Sequence, residues 1–64
     1  MNAKRFKLLR VAAGLSQLEL ANMLGLAQSA ISAWENGTAH PAATKLPTLA
    51  KALNCTIDEL YGEG

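Results

Sequence analysis

Residues Ser16 to Gly37, SQLELANMLGLAQSAISAWENG, constrain this chain more than any other stretch, because they hold two short helical patterns separated by a glycine. Ser16 followed three residues later by Glu19 is a capping box, so a helix starts there. Leu20, Ala21 and Leu24 then face inward until Gly25 breaks the run. The second pattern, Gln28 to Asn36, can be wound at 3.6 residues per turn, about 100° per residue. Gln28, Ser29, Ser32, Ala33 and Asn36 fall on one side, and Ala30, Ile31 and Trp34 on the other. The outward face is small and bears amides and hydroxyls. Gln and Asn pair bidentately with adenine and Ser pairs with any base, so this face suits contact with base edges. The same periodicity also describes an ordinary surface helix.

Sixty-four residues allow one small domain, which buries only about 60% of its unfolded surface and leaves little room for a catalytic cleft. Half the residues are hydrophobic and 17% are charged, enough apolar content for a helical core. The single cysteine, Cys55, cannot form an internal disulfide and cannot make a zinc site with the single histidine, His40, alone. Cys55 is expected to be inert packing. These features, with no apolar run of membrane length and no signal-peptide core, predict a cytoplasmic chain with no membrane segment. No Ser-His-Asp or Cys-His grouping, phosphate-cradling loop or metal cluster is present, which argues against an enzyme and implies no cofactor.

The formal net charge of +1 is low for a chain that meets phosphates. Its distribution is more informative. Lys4, Arg5, Lys7 and Arg10 are four of the six basic residues, whereas Asp58, Glu59 and Glu63 gather at the other end.

The remaining segments also read as helices, which predicts an all-α fold. Residues 2–13 form the first, with Phe6, Leu9 and Ala13 inward and Gly14 stopping it. Leu8 and Val11 fall off that stripe, either as ordinary exposed residues or as a contact for a second protein. Helix two covers 17–24 and helix three 28–36. Gln17, at the first helical position, occupies a natural phosphate site, since the helix dipole and free N–H groups both point outward there. Helix four covers 45–53, with Thr44 as its N-cap and Pro47 in the first turn where a missing N–H is harmless. Its Leu46, Leu49, Ala50 and Leu53 complete the core, and Lys45 is a candidate phosphate contact. Thr56 with Glu59 is a second capping box opening helix five, residues 57–61, through Ile57, Leu60 and Tyr61. Gly62, Glu63 and Gly64 are expected to fray.

Taken together, Leu15, Ser16, Gln17, Leu20, Ala21, Leu24, Gly25, Leu26, Ile31, Ser32, Glu35, Gly37 and Pro41 stand at spacings that resemble the helix-turn-helix of the Cro and phage-repressor-like family, the XRE family. The likeness runs from about Phe6 to Gly62. It implies a compact five-helix, lambda-repressor-like DNA-binding domain over residues 1–64, with the helix-turn-helix at helices two and three. It also implies that Gln17 clamps the DNA backbone and braces Gln28, and that Arg10 and Glu35 form an ion pair tying helix one to the end of helix three. The loop Thr38 to Pro41, which in the family lies against the backbone, here carries no Lys or Arg. Ala27 stands where the family usually has Ser or Thr, so helix three lacks a side-chain cap, at a cost of roughly 1 kcal/mol. Alternatively, Ser29 caps a helix that starts later.

The resulting expectation is a sequence-specific regulator of transcription, a repressor, that binds double-stranded DNA. Gln28, Ser29, Ser32 and Ala33 would face bases in the major groove, and Gln17, Asn36 and Lys45 the phosphates. The family resemblance implies a homodimer on near-palindromic DNA, joined near Leu60 and Tyr61. No small-molecule substrate is evident. The alternative is an antitoxin or adaptor that uses the same fold to hold another protein, with Leu8, Val11, Leu18 and Met23 as its exposed apolar residues.

Overall fold

The computed structural model describes residues 1–62, whose regular structure is entirely helical. α1 spans Ala3–Ala12, α2 Gln17–Leu24, α3 Gln28–Asn36, α4 Leu46–Ala52 and α5 Ile57–Tyr61, and a 3-10 turn over Ala43–Lys45 leads into α4. The fraying expected of Glu63 and Gly64 falls outside the described residues. Gly62 instead closes α5, its N–H donating to the Asp58 carbonyl at 3.1 Å.

Side-chain chemistry sets most helix starts. Asn2 Oδ1 accepts from the Arg5 N–H at 3.1 Å. Both capping boxes form. Ser16 Oγ accepts from the Glu19 N–H at 3.0 Å while Glu19 Oε1 accepts from the Ser16 N–H at 2.9 Å. Thr56 and Glu59 repeat the exchange at 3.1 and 3.0 Å. Each box satisfies N–H groups that a helix start leaves without a partner. Gly25 and Gly37 end α2 and α3 at φ +68° and +76°. A Cβ at either position would meet nothing within 4 Å. Glycine is therefore favoured there by the left-handed backbone and not by lack of space.

Two further expectations fail at helix ends. Thr44 is not the N-cap of α4: it lies inside the 3-10 turn, which the Lys45 N–H closes onto the Ala42 carbonyl at 2.8 Å, and α4 begins at Leu46 with no side-chain cap. Pro47 in the first turn needs no carbonyl partner, so the helix starts without the hydroxyl that the sequence offered. Ala13 is not inward either. α1 stops at Ala12 and leaves Ala13 exposed as its C-cap, so the inward stripe is Phe6 with a half-buried Leu9.

Each helix inserts one large side chain that is wholly sealed from solvent: Phe6, Leu20, Ile31, Leu49 and Leu60. Ala21, Trp34, Leu46, Ala50 and Leu53 fill the space between them. The Phe6 ring meets Trp34 edge-on, with centroids 6.0 Å apart and 66° between planes, an arrangement aromatic quadrupoles favour. α2 packs on α3, α1 lies against α3 and α5, and α4 closes on α2 and α5. The two ends of the chain are clasped. The Asn2 N–H donates to the Leu60 carbonyl at 3.1 Å and Arg5 Nε to the Glu59 carbonyl at 3.2 Å, satisfying carbonyls that the end of α5 leaves open. No described helix is long and apolar enough to cross a membrane.

Leu49→Ala is expected to cost about 2–5 kcal/mol, because it empties a sealed position. Leu18→Ala, at a position 53% exposed, is expected to stay within about 0.5 kcal/mol. Urea unfolding of the two variants checks the contrast.

Candidate nucleic-acid interface

The core turns one face of α3 outward. Ile31 and Trp34 are buried, and on the opposite side Gln28, Ser29 and Asn36 are exposed while Ser32 and Ala33 are half-buried. α3 begins at Gln28 after Ala27, which has an extended backbone (φ −74°, ψ 149°) and makes no capping bond. Ser29 lies inside the helix, so the later start it could have capped does not occur. The first N–H groups of α3 therefore lack a side-chain partner and point out of the helix start, where the dipole favours negative charge.

Four residues from three helices converge behind this face. Arg10 of α1 donates to the Glu35 carboxylate from Nε and, at 3.4 Å, from Nη2. Its Nη1 donates to the Leu15 carbonyl at 2.6 Å. Gln17 of α2 donates from Nε2 to Glu35 Oε1 at 3.1 Å and accepts at Oε1 from Gln28 Nε2 at 3.4 Å. An unbroken chain of polar contacts thus runs from α1 through the end of α3 and the start of α2 to the first residue of α3. The Arg10 and Glu35 side chains are only 11% and 5% exposed.

Burial on its own would raise the Glu35 pKa. The hydrogen bonds from Arg10 and Gln17, together with the positive charges of Arg10 and Lys7, outweigh it and hold the carboxyl below its ordinary range. Glu19 is also lowered, here by the Ser16 backbone N–H and hydroxyl that complete the capping box. Burial, with the Glu59 carboxylate, pushes the Cys55 thiol up against the opposing pull of Arg5, which disfavours the thiolate. Among the described residues, no group of three or more His, Cys, Asp or Glu is placed to hold a metal.

Beyond α3, the Ala33 carbonyl accepts from the Thr38 N–H at 3.0 Å, the Ala39 N–H at 3.3 Å and the Thr38 hydroxyl at 3.2 Å, fixing the loop that follows Gly37. His40 is exposed in that loop. Lys45 is exposed at the entry to α4, apart from the cluster around Glu35. Sequence reasoning missed the Leu15 carbonyl as a partner of Arg10 and Thr38 as the pin of the loop. Neither has a sequence signal, because a backbone carbonyl accepts regardless of its residue and an isolated Thr in a loop has many uses.

A family profile for helix-turn-helix proteins matches residues 6–60. The chain belongs to the helix-turn-helix family of the Cro and phage-repressor type. It is 37% identical over 57 residues to the HTH-type transcriptional activator BcrR of Enterococcus faecalis, a match covering 89% of this chain and 28% of that protein. Over 63 residues it is 30% identical to antitoxin PezA of Streptococcus pneumoniae, covering 98% of this chain and 40% of that one. It therefore spans less than half the length of either relative. Among solved structures it is similar to the P22 c2 repressor in complex with synthetic operator 9T, with TM-score 0.82, 34% identity, and 91% and 88% of the two chains covered. The restriction-modification controller protein C.AhdI from Aeromonas hydrophila matches with TM-score 0.81 and 36% identity, over the same shares of the two chains.

Removing one partner of the Arg10–Glu35 pair leaves the other charge with little solvent. Arg10→Met is expected to lose about 3 kcal/mol, and more than the double change Arg10→Met, Glu35→Leu. Equal losses in chaotrope melts would reject coupling between the two. Glu35 titrates lower in the fold than in the open chain, so the unfolded state binds more protons in the interval between. Stability is then full above the ordinary carboxylate range and falls as pH drops through it toward the folded value. Glu35→Gln is expected to be less stable at neutral pH and to lose less on acidification, which paired melts across the acid range would measure.

Proposed function

We propose that this chain is a sequence-specific regulator of transcription that inserts α3 into the major groove of double-stranded DNA. The observation that carries the proposal is the exposed Gln28 and Ser29 face, braced from behind by the Arg10–Glu35–Gln17 chain. Gln28, Ser29 and Ser32 offer hydrogen bonds to base edges, and the Ala33 methyl suits the methyl of thymine. Gln17 and Asn36 meet phosphates at either end of the reading helix, with the exposed Lys45 as the next basic residue in sequence. The operator-bound P22 c2 repressor and the activator BcrR support the assignment as structural and sequence neighbours.

Residues 1–64 would act as one reading unit that makes few base contacts. Two copies on a near-palindromic site, with half-sites one helical turn apart, would supply the rest. Tyr61 is 50% exposed and Leu60 is sealed, so a contact at this end would use Tyr61 and not Leu60. Occupancy of an operator in the cytoplasm is sufficient for repression, the output we favour.

A second reading, an antitoxin or adaptor, is favoured by the exposed Leu8, Val11, Leu18 and Met23 and by the likeness to antitoxin PezA. A DNA titration separates the two. A regulator selects a sequence and weakens steeply with salt, and an adaptor does neither.

The reading face lacks Arg and Lys, so selection from a random duplex library is expected to return A·T-containing half-sites. Gln28→Ala is expected to relax preference at one position by about 1–3 kcal/mol. Recovery of uniformly G-rich sites would overturn the assignment of these readers.

A further inference from the structure

On the side of α3 away from the reading face, a crevice of about 250 Å³ opens between Leu24, Trp34, Thr44, Lys45, Thr48 and Leu49. Its lining divides by chemistry. Leu24, Leu49 and Trp34 form its largely apolar part, whereas Thr44, Lys45 and Thr48 bring two hydroxyls and an ammonium. No carboxylate among the described residues lines it. Ammonium and indole N–H groups only donate hydrogen bonds, and hydroxyls can donate, so the polar groups of this lining are matched by an acceptor-rich partner.

Trp34 strengthens the case. It is 6% exposed, and its indole N–H takes no part in the side-chain hydrogen bonds among the described residues. No sealed polar side-chain atom among those residues lacks a partner, so this N–H retains an opening to solvent. The crevice is the concave surface that Trp34 lines. A nearly buried donor that keeps an opening to solvent is satisfied only by water or by a ligand that brings an acceptor.

We propose that this crevice binds a small organic acid: an apolar body the size of one ring against Leu24 and the exposed part of Trp34, above the sealed Leu49, and a carboxylate held by Lys45 with Thr44 or Thr48. The volume lies just below the roughly 300–1,000 Å³ of pockets for drug-sized ligands, which restricts the occupant to about one ring. The site lies on the other side of α3 from Gln28 and Ser32 and uses none of the base-reading residues, and it shares Lys45 with the proposed phosphate contacts.

Trp34 is the chain's single tryptophan, so the indole N–H gives one assignable signal in a proton–nitrogen correlation spectrum. The full chain, without DNA, is titrated with benzoate at constant ionic strength, and in parallel with benzamide and acetate. A saturable shift of the indole signal with benzoate is expected, with benzamide and acetate each binding at least about tenfold more weakly. Lys45→Gln, a change at an exposed position, is expected to weaken benzoate by about tenfold while leaving the rest of the spectrum in place. A shift that rises linearly without saturating, equal binding of benzamide, or an unchanged benzoate affinity in Lys45→Gln would overturn the proposal. Because no DNA is present, failure here says nothing against operator binding, and failure of operator binding says nothing against this site.

Discussion

A single carboxylate, that of Glu35, organises the working half of this molecule. Moving an ion out of water costs several kcal/mol unless a well-placed opposite charge and further hydrogen bonds replace the lost solvent. Arg10 supplies the charge from α1 and Gln17 an amide donor from α2, while Glu35 itself belongs to α3. Three helices thus meet at one group whose satisfaction requires all of them in register. Arg10 is fixed in turn by the Leu15 carbonyl in the segment leading to α2. A hydrophobic core alone tolerates small slides between helices, whereas directional bonds to a nearly buried charge penalise them. The hypothesis that this cluster trades some stability for a fixed geometry fits its position behind the face that presents Gln28.

If the chain reads DNA as proposed, it draws little of its affinity from charge. Phosphate neutralisation by Lys and Arg commonly supplies a large share of binding energy. Here the net charge is +1, and the basic residues cluster in the first helix and not on the reading helix or the loop after it. What α3 offers instead is neutral: amides, hydroxyls, and the Gln28 and Ser29 N–H groups at a start where Ala27 provides no side-chain cap and the Ala30 N–H turns back to the Ala27 carbonyl at 3.0 Å. Contacts of that kind depend on hydrogen-bond matching more than on attraction at a distance. Such a protein would discriminate between sequences at modest overall affinity and gain strongly from pairing two copies.

Much of this was legible before any coordinates. The two capping boxes, the glycine stops and the apolar spacing locate the helices because each is a local device whose residues lie within one or two turns of one another. The sealed residues of α2, α4 and α5 follow from the same spacing. Failures cluster where a local device competed with the path of the chain. Thr44 looked like a cap, but the chain arriving from the loop enters α4 through a 3-10 turn that leaves the hydroxyl outside the cap geometry. Ala13 lay on the right stripe but past the end of the helix. At the site, periodicity gave the polar face of α3. The bond from Arg10 to Glu35, 25 positions apart, could come only from family resemblance, because no spacing rule brings two distant charges together. The Trp34 crevice had no signal at all: its lining comes from three separate stretches, Leu24, Trp34 and Thr44 to Leu49, and a hollow is defined by what does not fill it.

The placement of one sealed side chain from every helix has a consequence for the molecule's life in a cell. With Phe6, Leu20, Ile31, Leu49 and Leu60 plugged into a common centre, peeling away any one segment exposes the sockets of the others. No sub-assembly can then keep α3 in shape on its own, and melting should be all-or-none. A protease that captures the open form would therefore erase the whole reading head in one event, without leaving a partially active remnant. For a small regulator, abundance would then respond sharply to modest changes in folding free energy, making turnover itself a means of control.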